Sequence, residues 1–150
     1  MNYTLDLTDV ADDKIRRQIA APLVRYNETK AGPDHYRPLI VALKNGVGVI
    51  EGGIWAYTSY HWLFVQLLVV PESVRGSGLG RRLMAIAEKE AVRRGCLNAW
   101  LDTHEFQAPG FYEKLGYVAF GTLPDYPPGF ARVFLTKRLG HAELLRRLQP

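Results

Sequence analysis

The stretch that decides the fold runs from Val69 to Leu83 and reads VVPESVRGSGLGRRL. An apolar run precedes it and a helical pattern follows it, which predicts a buried strand, a glycine loop and the start of a helix. Free N–H groups at a helix start attract anions, and Arg75 and Arg81 add positive charge. The residues alone leave two readings open, an anion-binding loop and a tight turn with solvated arginines.

Two common phosphate loops do not fit this stretch. A dinucleotide fingerprint G-x-G-x-x-G that starts at Gly76 needs a glycine at position 81, where the chain has Arg81. A P-loop that starts at Gly76 needs the same glycine. The loop therefore belongs to neither of these nucleotide-binding motifs.

The segments before the loop predict one helix and three strands. The pattern favours a helix over 10–28, capped by Thr8 or Asp9. The segments RPLIVAL, VGVIEGGIWAYT and WLFVQLLVV read as strands, and the dipeptide Asn45-Gly46 predicts a hairpin turn between the first two.

The segments after the loop predict two helices and three strands. A helix with an apolar stripe ends at Gly95, and the stripe comprises Leu79, Leu83, Ile86, Ala87 and Ala91. The strand CLNAWLDT follows, then the short helix APGFYEKLG and the strands YVAFG and ARVFLTKRL. Because a helix crosses between WLFVQLLVV and CLNAWLDT, we expect those strands to be parallel. The fold class is α+β with a mixed sheet.

The bulk composition sets broad limits. The 150 residues, 47% hydrophobic with a net charge of +4, predict a single domain over 1–150, with a core over about 3–139. The tail 140–150 is either frayed or a short helix against a partner subunit, and a homodimer stays open. The positive charge fits anionic small molecules, nucleic acid or a membrane surface. The start of the chain has no signal-peptide pattern, and no apolar run is long enough to span a membrane, so we expect neither membrane contact nor export.

Cysteine and histidine usage adds two expectations. The single cysteine, Cys96, opens a buried strand and reads as a packing residue, and one cysteine suits the reducing cytoplasm. The four histidines have no metal-ligand spacing, so no metal is expected.

Two motifs together resemble one family. VRGSGLGRRL matches the R-x-x-G-x-G signature of the GNAT superfamily of N-acetyltransferases, and FYEKLGY at Phe111–Tyr117 is similar to its second signature. The resemblance implies a mostly antiparallel mixed sheet with flanking helices, in which one parallel strand pair splays apart. It also implies that the anion is the pyrophosphate of acetyl-CoA. The implied cofactor residues are Leu68, Val69, Val70, Arg75, Gly76, Ser77, Gly78, Leu79, Gly80 and Arg81.

The sequence departs from the family pattern at three positions. Pro71 lies four positions before Arg75, where three is usual. Gln66 stands where a strand acid often serves as base, and a glutamine amide cannot deprotonate an amine. Glu105 stands where the family commonly has asparagine, seven positions before the helix tyrosine.

Acetyl transfer to an amine needs a base, an oxyanion site and a proton for the leaving thiolate. Tyr112 occupies the family position of that proton donor, and its alternative role is packing. Candidate bases are Glu51, Asp102, His104, Glu105 and Asp125. Asp102 and Glu105 are favoured as catalytic residues, although either could simply cap the following helix.

The acceptor site is predicted from residues near the open end of the wedge. Asp125, Tyr126 and Trp55 are the predicted substrate-binding residues. Carboxylates at Asp102, Glu105 and Asp125 would attract a cationic amine, unless they serve only as caps and turns. The aromatic residues could equally belong to the core or the sheet surface.

The function that these observations favour is acetyl-CoA-dependent transfer of an acetyl group to a primary amine of a small molecule or peptide, by direct attack on the thioester. The alternative is a non-catalytic acyl-CoA-binding or sensing module on the same fold. A nucleic-acid binder is disfavoured, because the arginines cluster at the loop and do not alternate with aromatic residues.

Overall fold

A computed structural model describes residues 3–140 of the chain. These residues divide into two compact units, and the division along the chain falls between Asp34 and His35. The single domain predicted over 1–150 stays a prediction, and the predicted tail falls almost wholly outside the described residues. No helix within 3–140 combines the length and the apolar character needed to cross a bilayer.

The first unit contains helix α1, Asp13–Ala31. Asp12 caps it, because its Oδ1 accepts the N–H of Lys14 at 2.7 Å. The predicted cap at Thr8 or Asp9 is therefore wrong, and the helix begins later than the apolar pattern indicated. None of its residues is buried.

The second unit is built on a six-stranded sheet. Its strands are β1 (Arg37–Lys44), β2 (Ile50–Ser59), β3 (Trp62–Val69), β4 (Asn98–His104), β5 (Val118–Leu123) and β6 (Arg132–Arg138). Their order across the sheet is β1-β2-β3-β4-β6-β5. Of these neighbouring pairs β3 and β4 run parallel and the others antiparallel. The predicted α+β class with a mixed, mostly antiparallel sheet is confirmed.

Two helices and a single turn of 3-10 helix connect the strands. Glu72–Val74 forms the 3-10 turn after β3, and α2 follows as Leu79–Arg93. Helix α3, Pro109–Lys114, lies between β4 and β5. These elements match the predicted order, since a helix crosses from β3 to the parallel strand β4.

The turn that joins β1 and β2 is longer than Asn45-Gly46 implied. Asn45 donates its N–H to the carbonyl of Val49 at 3.0 Å, and its Oδ1 accepts the N–H groups of Val47 and Val49. These bonds extend the loop, so β2 begins at Ile50 and not at Val47. The hairpin itself is present as predicted.

Helix α2 packs one face on the sheet. Its buried residues are Leu83, Met84, Ala87 and Ala91. Ile86, predicted on this stripe, is 52% exposed, because at 3.6 residues per turn it lies about 115° from the centre of the buried face. Met84 lies about 45° from that centre and fills the place instead. Cys96 is buried in the same core, as predicted.

Two polar clusters hold α2 against the sheet. Glu88 accepts the Tyr117 hydroxyl at 3.0 Å and the Lys137 ammonium at 2.7 Å. At the C-terminal end of the helix, Arg94 donates to the carbonyls of Arg37 and Pro38 on β1. The helix axis, and with it the start of the helix, is therefore fixed relative to the strands.

Candidate active site

The site is a cleft that opens where β3 and β4 stop pairing. Their parallel register runs from Trp62–Asn98 to Val65–Leu101 and ends there. Both strands continue, β3 to Val69 and β4 to His104. Backbone N–H and C=O groups that face the gap have no ladder partner on the opposite strand. They remain available to a ligand, since exposed strand edges bind extended groups.

A β-bulge on β3 lies at the start of the gap. Trp55 of β2 pairs with Leu67 and Ala56 pairs with Val65, so Gln66 is the extra residue. A bulge bends its strand and increases the local twist. This bend turns β3 away from β4 and contributes to the splay.

The glycine loop closes one end of the cleft. Gly76 and Gly78 have φ values of 78° and 81°, in the region that favours glycine. The Nε of Arg75 donates to the carbonyl of Val70 at 3.3 Å, and the Ser77 hydroxyl donates to the carbonyl of Val74 at 2.6 Å. Gly78 is the N-cap of α2, so the first N–H groups of that helix end at the cleft.

The beginning of α2 approaches α3 closely. A Cβ added at Gly80 would lie 3.2 Å from the Phe111 ring, a contact that a side chain could make only if the ring moved. A side chain at Gly80 would need the Phe111 ring to shift by a few tenths of an ångström, whereas a Cβ at Gly76 or Gly78 would meet open space. The three glycines of the loop serve two different purposes.

Tyr112 forms the opposite wall of the cleft. It lies on α3, is 9% exposed and is among the residues that line the cleft. Burial, with the negative charge of Asp102 as the second cause, raises the pKa of Tyr112 to about 12. The phenol therefore keeps its proton at neutral pH and can donate a hydrogen bond into the cleft.

Asp102 lies on β4 and is held by an arginine. Its Oδ1 accepts from Arg132, with the Nε bond at 2.6 Å and a closer contact to Nη2. The Asp102 side chain is 15% exposed. The guanidinium offsets the charge of this carboxylate, so the ion pair as a whole adds little net charge to the cleft, although the carboxylate still acts on the nearby Tyr112.

An aromatic cluster surrounds the end of β4. The His104 ring stacks on the Phe106 ring at 5.1 Å with an interplanar angle of 4°. Phe106 packs edge-on against Phe130 at 5.0 Å. The Arg132 guanidinium lies 4.8 Å from the centre of the Tyr126 ring. The β4–α3 turn and the β5–β6 loop are joined through these rings.

The cleft has a volume of about 910 Å³. Most of the predicted site residues line it, namely Leu68, Val69, Val70, Arg75, Gly76, Gly78, Leu79, Gly80, Arg81, Asp102 and Tyr112. The structure thus brings together the glycine loop, the end of β3 and the predicted proton donor. Their binding and catalytic roles stay predictions.

Seven predicted residues lie outside the set that lines the cleft, and the candidate bases Glu51 and His104 are among them. Glu51 accepts a hydrogen bond from the Asn45 side-chain amide at 2.7 Å. The Ser77 hydroxyl is used within the loop, and Glu105 is exposed on the turn after β4. Asp125 accepts the Gly129 N–H at 3.3 Å and so stabilises its own loop. Tyr126 is 46% exposed beside the aromatic cluster, and Trp55 is 52% exposed on β2.

Sequence reasoning missed several residues of the cleft. Thr103, Phe106, Gln107, Ala108 and Phe111 line it from β4 and the segment before Tyr112. Gln107 orders this turn, since its Oε1 accepts from the Thr103 hydroxyl and the His104 N–H, both at 2.9 Å. The polar side chains between Leu101 and the helix are the available signal, but the sequence analysis considers only Asp102, His104 and Glu105 among them.

Comparison with known sequences relates this chain to one protein family. A model of the acetyltransferase (GNAT) family matches residues 7–117. An acetyltransferase of Agrobacterium fabrum is 39% identical over 138 residues, which cover 92% of this chain and 99% of that protein. Blasticidin-S acetyltransferase of Streptomyces morookaense is 44% identical over 93 residues, 61% of this chain and 68% of the relative.

Solved structures agree with this assignment. A crystal structure from Agrobacterium tumefaciens, of a protein described as an acetyltransferase, is 39% identical with a TM-score of 0.84 and covers 92% of this chain and 99% of its own. An aminoglycoside 6′-N-acetyltransferase crystallised with coenzyme A shares the fold, with 21% identity, a TM-score of 0.60 and coverage of 89% and 96%. The chain belongs to the GNAT family of acetyltransferases and is an enzyme of that class.

Proposed function

We propose that this enzyme transfers an acetyl group from acetyl-CoA to a primary amine of a small molecule or peptide, by direct attack on the thioester. The observation that carries the proposal is the gap beyond Val65 and Leu101, where parallel pairing ends. It opens a cleft with the α2 N-terminus at one end and Tyr112 in its wall. Such a cleft has the features that a long, anionic, thioester-bearing molecule requires.

The pyrophosphate of acetyl-CoA binds at the glycine loop in this proposal. Backbone N–H groups from Arg75 to Arg81 surround it, and the partial positive charge of the α2 N-terminus adds to the attraction. The first turn of α2 contains no acidic residue that would oppose an anion. Leu68, Val69 and Val70 offer backbone groups to the pantetheine arm, which runs along the open edge of β3. The CoA-bound enzyme that shares this fold supports the assignment.

The thioester then lies near Tyr112. The amine nitrogen attacks the carbonyl carbon, negative charge develops on the oxygen, and unpaired N–H groups of β3 stabilise it. The carbon–sulfur bond breaks as the Tyr112 hydroxyl donates a hydrogen bond to the departing sulfur.

The acidity of Tyr112 defines this role further. A free thiol titrates near 8.5, whereas the pKa of Tyr112 is raised to about 12. Complete proton transfer to sulfur would leave an unfavourable phenolate, so Tyr112 can only pass a proton on if it receives one. The second proton of the attacking nitrogen replaces it, and Tyr112 ends the cycle neutral.

The acceptor in this proposal is a small-molecule amine, or the amine of a peptide. The relative that acetylates blasticidin S supports the small-molecule class. The acceptor enters from the side of the β4–α3 turn, because the glycine loop occupies the other end of the cleft. Phe106 and Gln107 line the cleft on that side.

Two measurements test the proposal. Titration calorimetry with CoA measures cofactor binding, and thiol release from acetyl-CoA measures turnover with a panel of primary amines, which includes blasticidin S, an aminoglycoside, a polyamine and short peptides. We expect CoA to bind and at least one amine to accelerate thiol release, with an acetylated product seen by mass spectrometry. CoA binding without amine-dependent release would favour the acyl-CoA-binding module. Absence of CoA binding would overturn both functions.

A further inference from the structure

We propose that His104 is the general base that accepts the proton of the acceptor amine. The inference rests on the proposed function and adds to it a residue with a defined atom, Nε2. The site lacks the usual base of the family, because Gln66 occupies the strand position at which the family often has an acid.

The cleft itself offers no suitable base among the described residues. Its ionisable side chains are Arg75, Arg81, Asp102 and Tyr112. The arginines are cations, and Tyr112 is the proton donor of the proposed reaction. The Oδ1 of Asp102 already accepts two contacts from the Arg132 guanidinium, so this oxygen is occupied and is not free to take a proton from the amine.

The other predicted acids are Glu51, Glu105 and Asp125, and like His104 they lie outside the residues that line the cleft. Glu105 is exposed and outside the cleft lining. Asp125 is exposed on the β5–β6 loop, where its carboxylate accepts a backbone N–H of that loop. Neither carboxylate is held against a residue of the cleft by a hydrogen bond or ion pair that the structure shows.

The hydrogen bond of His104 defines its tautomer. Its Nδ1 lies 2.9 Å from the carbonyl oxygen of Tyr126. A carbonyl oxygen can only accept, so Nδ1 carries the proton and donates it. The neutral ring therefore has its lone pair on Nε2, the nitrogen on the opposite edge of the ring. A second group that orients the base in this way is a common arrangement in general-base catalysis.

His104 lies next to residues that line the cleft. His104 and Asp102 are two residues apart on β4, so they share a face and are separated by about 6.6 Å along the strand. Asp102 lines the cleft, as do Thr103 and Phe106 on either side of His104. The His104 ring stacks flat on Phe106. His104 is not itself part of the cleft lining, but its ring contacts a lining residue, Phe106, on the side where the proposed acceptor enters.

The protons balance over the cycle. An acceptor ammonium gives its first proton to His104 Nε2, and the imidazolium later releases it to water. The neutral amine attacks the thioester carbon, and the carbon–sulfur bond breaks. The second proton of the nitrogen reaches sulfur through the Tyr112 hydroxyl. The products are the acetylated amine, CoA thiol and one proton in solution.

The key variant is His104→Asn. The Asn amide can donate to the Tyr126 carbonyl as Nδ1 does, but it has no basic nitrogen. His61→Asn is a matched control, because His61 Nδ1 also contacts a backbone carbonyl, that of Gly95 at 3.1 Å. His61 lies in the turn that precedes β3, whereas the cleft opens at the far end of β3. Only His104→Asn removes a base beside the cleft.

The readout is the pH profile of kcat/KM with the best amine of the panel. In the wild type we expect kcat/KM to fall as the pH drops through the range where histidines titrate. His104→Asn should lose this limb and turn over roughly 10²-fold more slowly at neutral pH, with CoA affinity unchanged. The ionisable groups that surround His104 and must be considered in the fit are Asp102, Glu105, Arg132, Asp125 and Tyr126.

A rescue experiment separates chemistry from structure. Imidazole added to His104→Ala should restore part of the turnover if only the base is missing. Wild-type kcat/KM and an unchanged acid limb in His104→Asn would overturn the inference. Loss of turnover together with loss of CoA affinity and no rescue would overturn it as well, since the role would then be structural. If the wild type acetylates no amine of the panel, the proposed function fails first, and the role of His104 with it.

Discussion

The two halves of the β3–β4 pair differ in what they do. From Trp62 to Val65 the strands are hydrogen-bonded, and their alternate side chains are buried. Beyond Val65 the two strands diverge, and on β3 the exposed positions increase, with the bulged Gln66 at the transition. One half belongs to the core, and the other belongs to the cleft.

The two halves differ in how their backbone N–H and C=O groups form hydrogen bonds. In the paired half the ladder uses the N–H and C=O groups, and apolar side chains such as Leu63 and Leu101 fill the core at 0% and 1% exposure. In the open half the backbone groups that face the gap have no partner on the opposite strand. They are therefore available to form hydrogen bonds with a ligand. Substitutions should therefore affect stability in the first half and binding or turnover in the second.

The largest effect is expected in the paired half, from Leu101→Ala. Removing this fully buried side chain should lower the free energy of unfolding by about 2–5 kcal/mol. Leu67→Ala in the open half, where the side chain is 55% exposed, should cost less than about 1 kcal/mol. Urea unfolding at constant m value measures both. Similar losses for the two leucines would mean that the halves are not distinct.

Tyr112→Phe should lower the turnover rate. The change keeps the ring and removes the hydroxyl, so we expect kcat to fall roughly 10²-fold while CoA affinity stays. Tyr117→Phe is the control, since it also removes a buried hydroxyl, one that donates to Glu88. It should reduce stability and leave kcat near the wild-type value. Near-normal kcat in Tyr112→Phe, under conditions where chemistry limits the rate, would assign the proton to water.

Gly78→Val should weaken CoA binding about tenfold, or about 1.4 kcal/mol, because a side chain at the α2 N-terminus would occupy the space that the pyrophosphate needs. The chain provides a close control in Gly48→Val. Both glycines have positive φ, 81° and 85°, and an added Cβ meets open space at each. The backbone strain is therefore matched, and calorimetry isolates the effect on binding. Equal CoA affinity in the two variants would contradict the loop assignment.

The raised pKa of Tyr112 predicts a loss of stability at high pH. Its pKa is raised from 10.0 to about 12 in the folded protein, by burial first and Asp102 second. Above pH 10 the unfolded chain loses this proton before the folded one does, so stability falls as the pH rises. At pH 11 the loss amounts to about 1 kcal/mol.

Tyr112→Phe should remove this part of the decline between pH 10 and pH 12. Chemical unfolding of both proteins at several pH values is the measurement. The remaining decline includes Tyr117, whose pKa is also raised, by burial and by Glu88. Parallel pH curves for wild type and variant would show that Tyr112 does not titrate as its burial implies.

Much of this arrangement could be predicted from local sequence. The glycine spacing, the apolar runs and FYEKLGY predicted the element order, the parallel pair and most of the residues that line the cleft. Such features act over a few residues, which is the range at which helix and strand patterns carry information.

The contacts formed between distant segments could not be predicted in the same way. Asp102 meets Arg132 across the β4–β6 pair, and His104 meets Tyr126 in the β5–β6 loop. The two residues of each contact are 30 and 22 positions apart along the chain. The helix and strand periodicities of the sequence do not indicate which distant residue each one contacts. Asp102 read alone looked like a free acid, whereas the folded protein makes it one half of an ion pair.

The smallest effect should come from the two acids that remain unpaired with a cation. The sequence predicted that Asp102, Glu105 and Asp125 together attract a cationic amine. Since Arg132 neutralises Asp102, only Glu105 and Asp125 contribute, and both are exposed. Charges in water are screened over about 10 Å at 0.1 M salt. We therefore expect Glu105→Gln with Asp125→Asn to raise KM for a cationic amine only about two- to threefold at low salt. The effect should vanish at high salt, and KM for acetyl-CoA should not rise. A tenfold increase that survives high salt would instead mean that one of these carboxylates binds the acceptor directly.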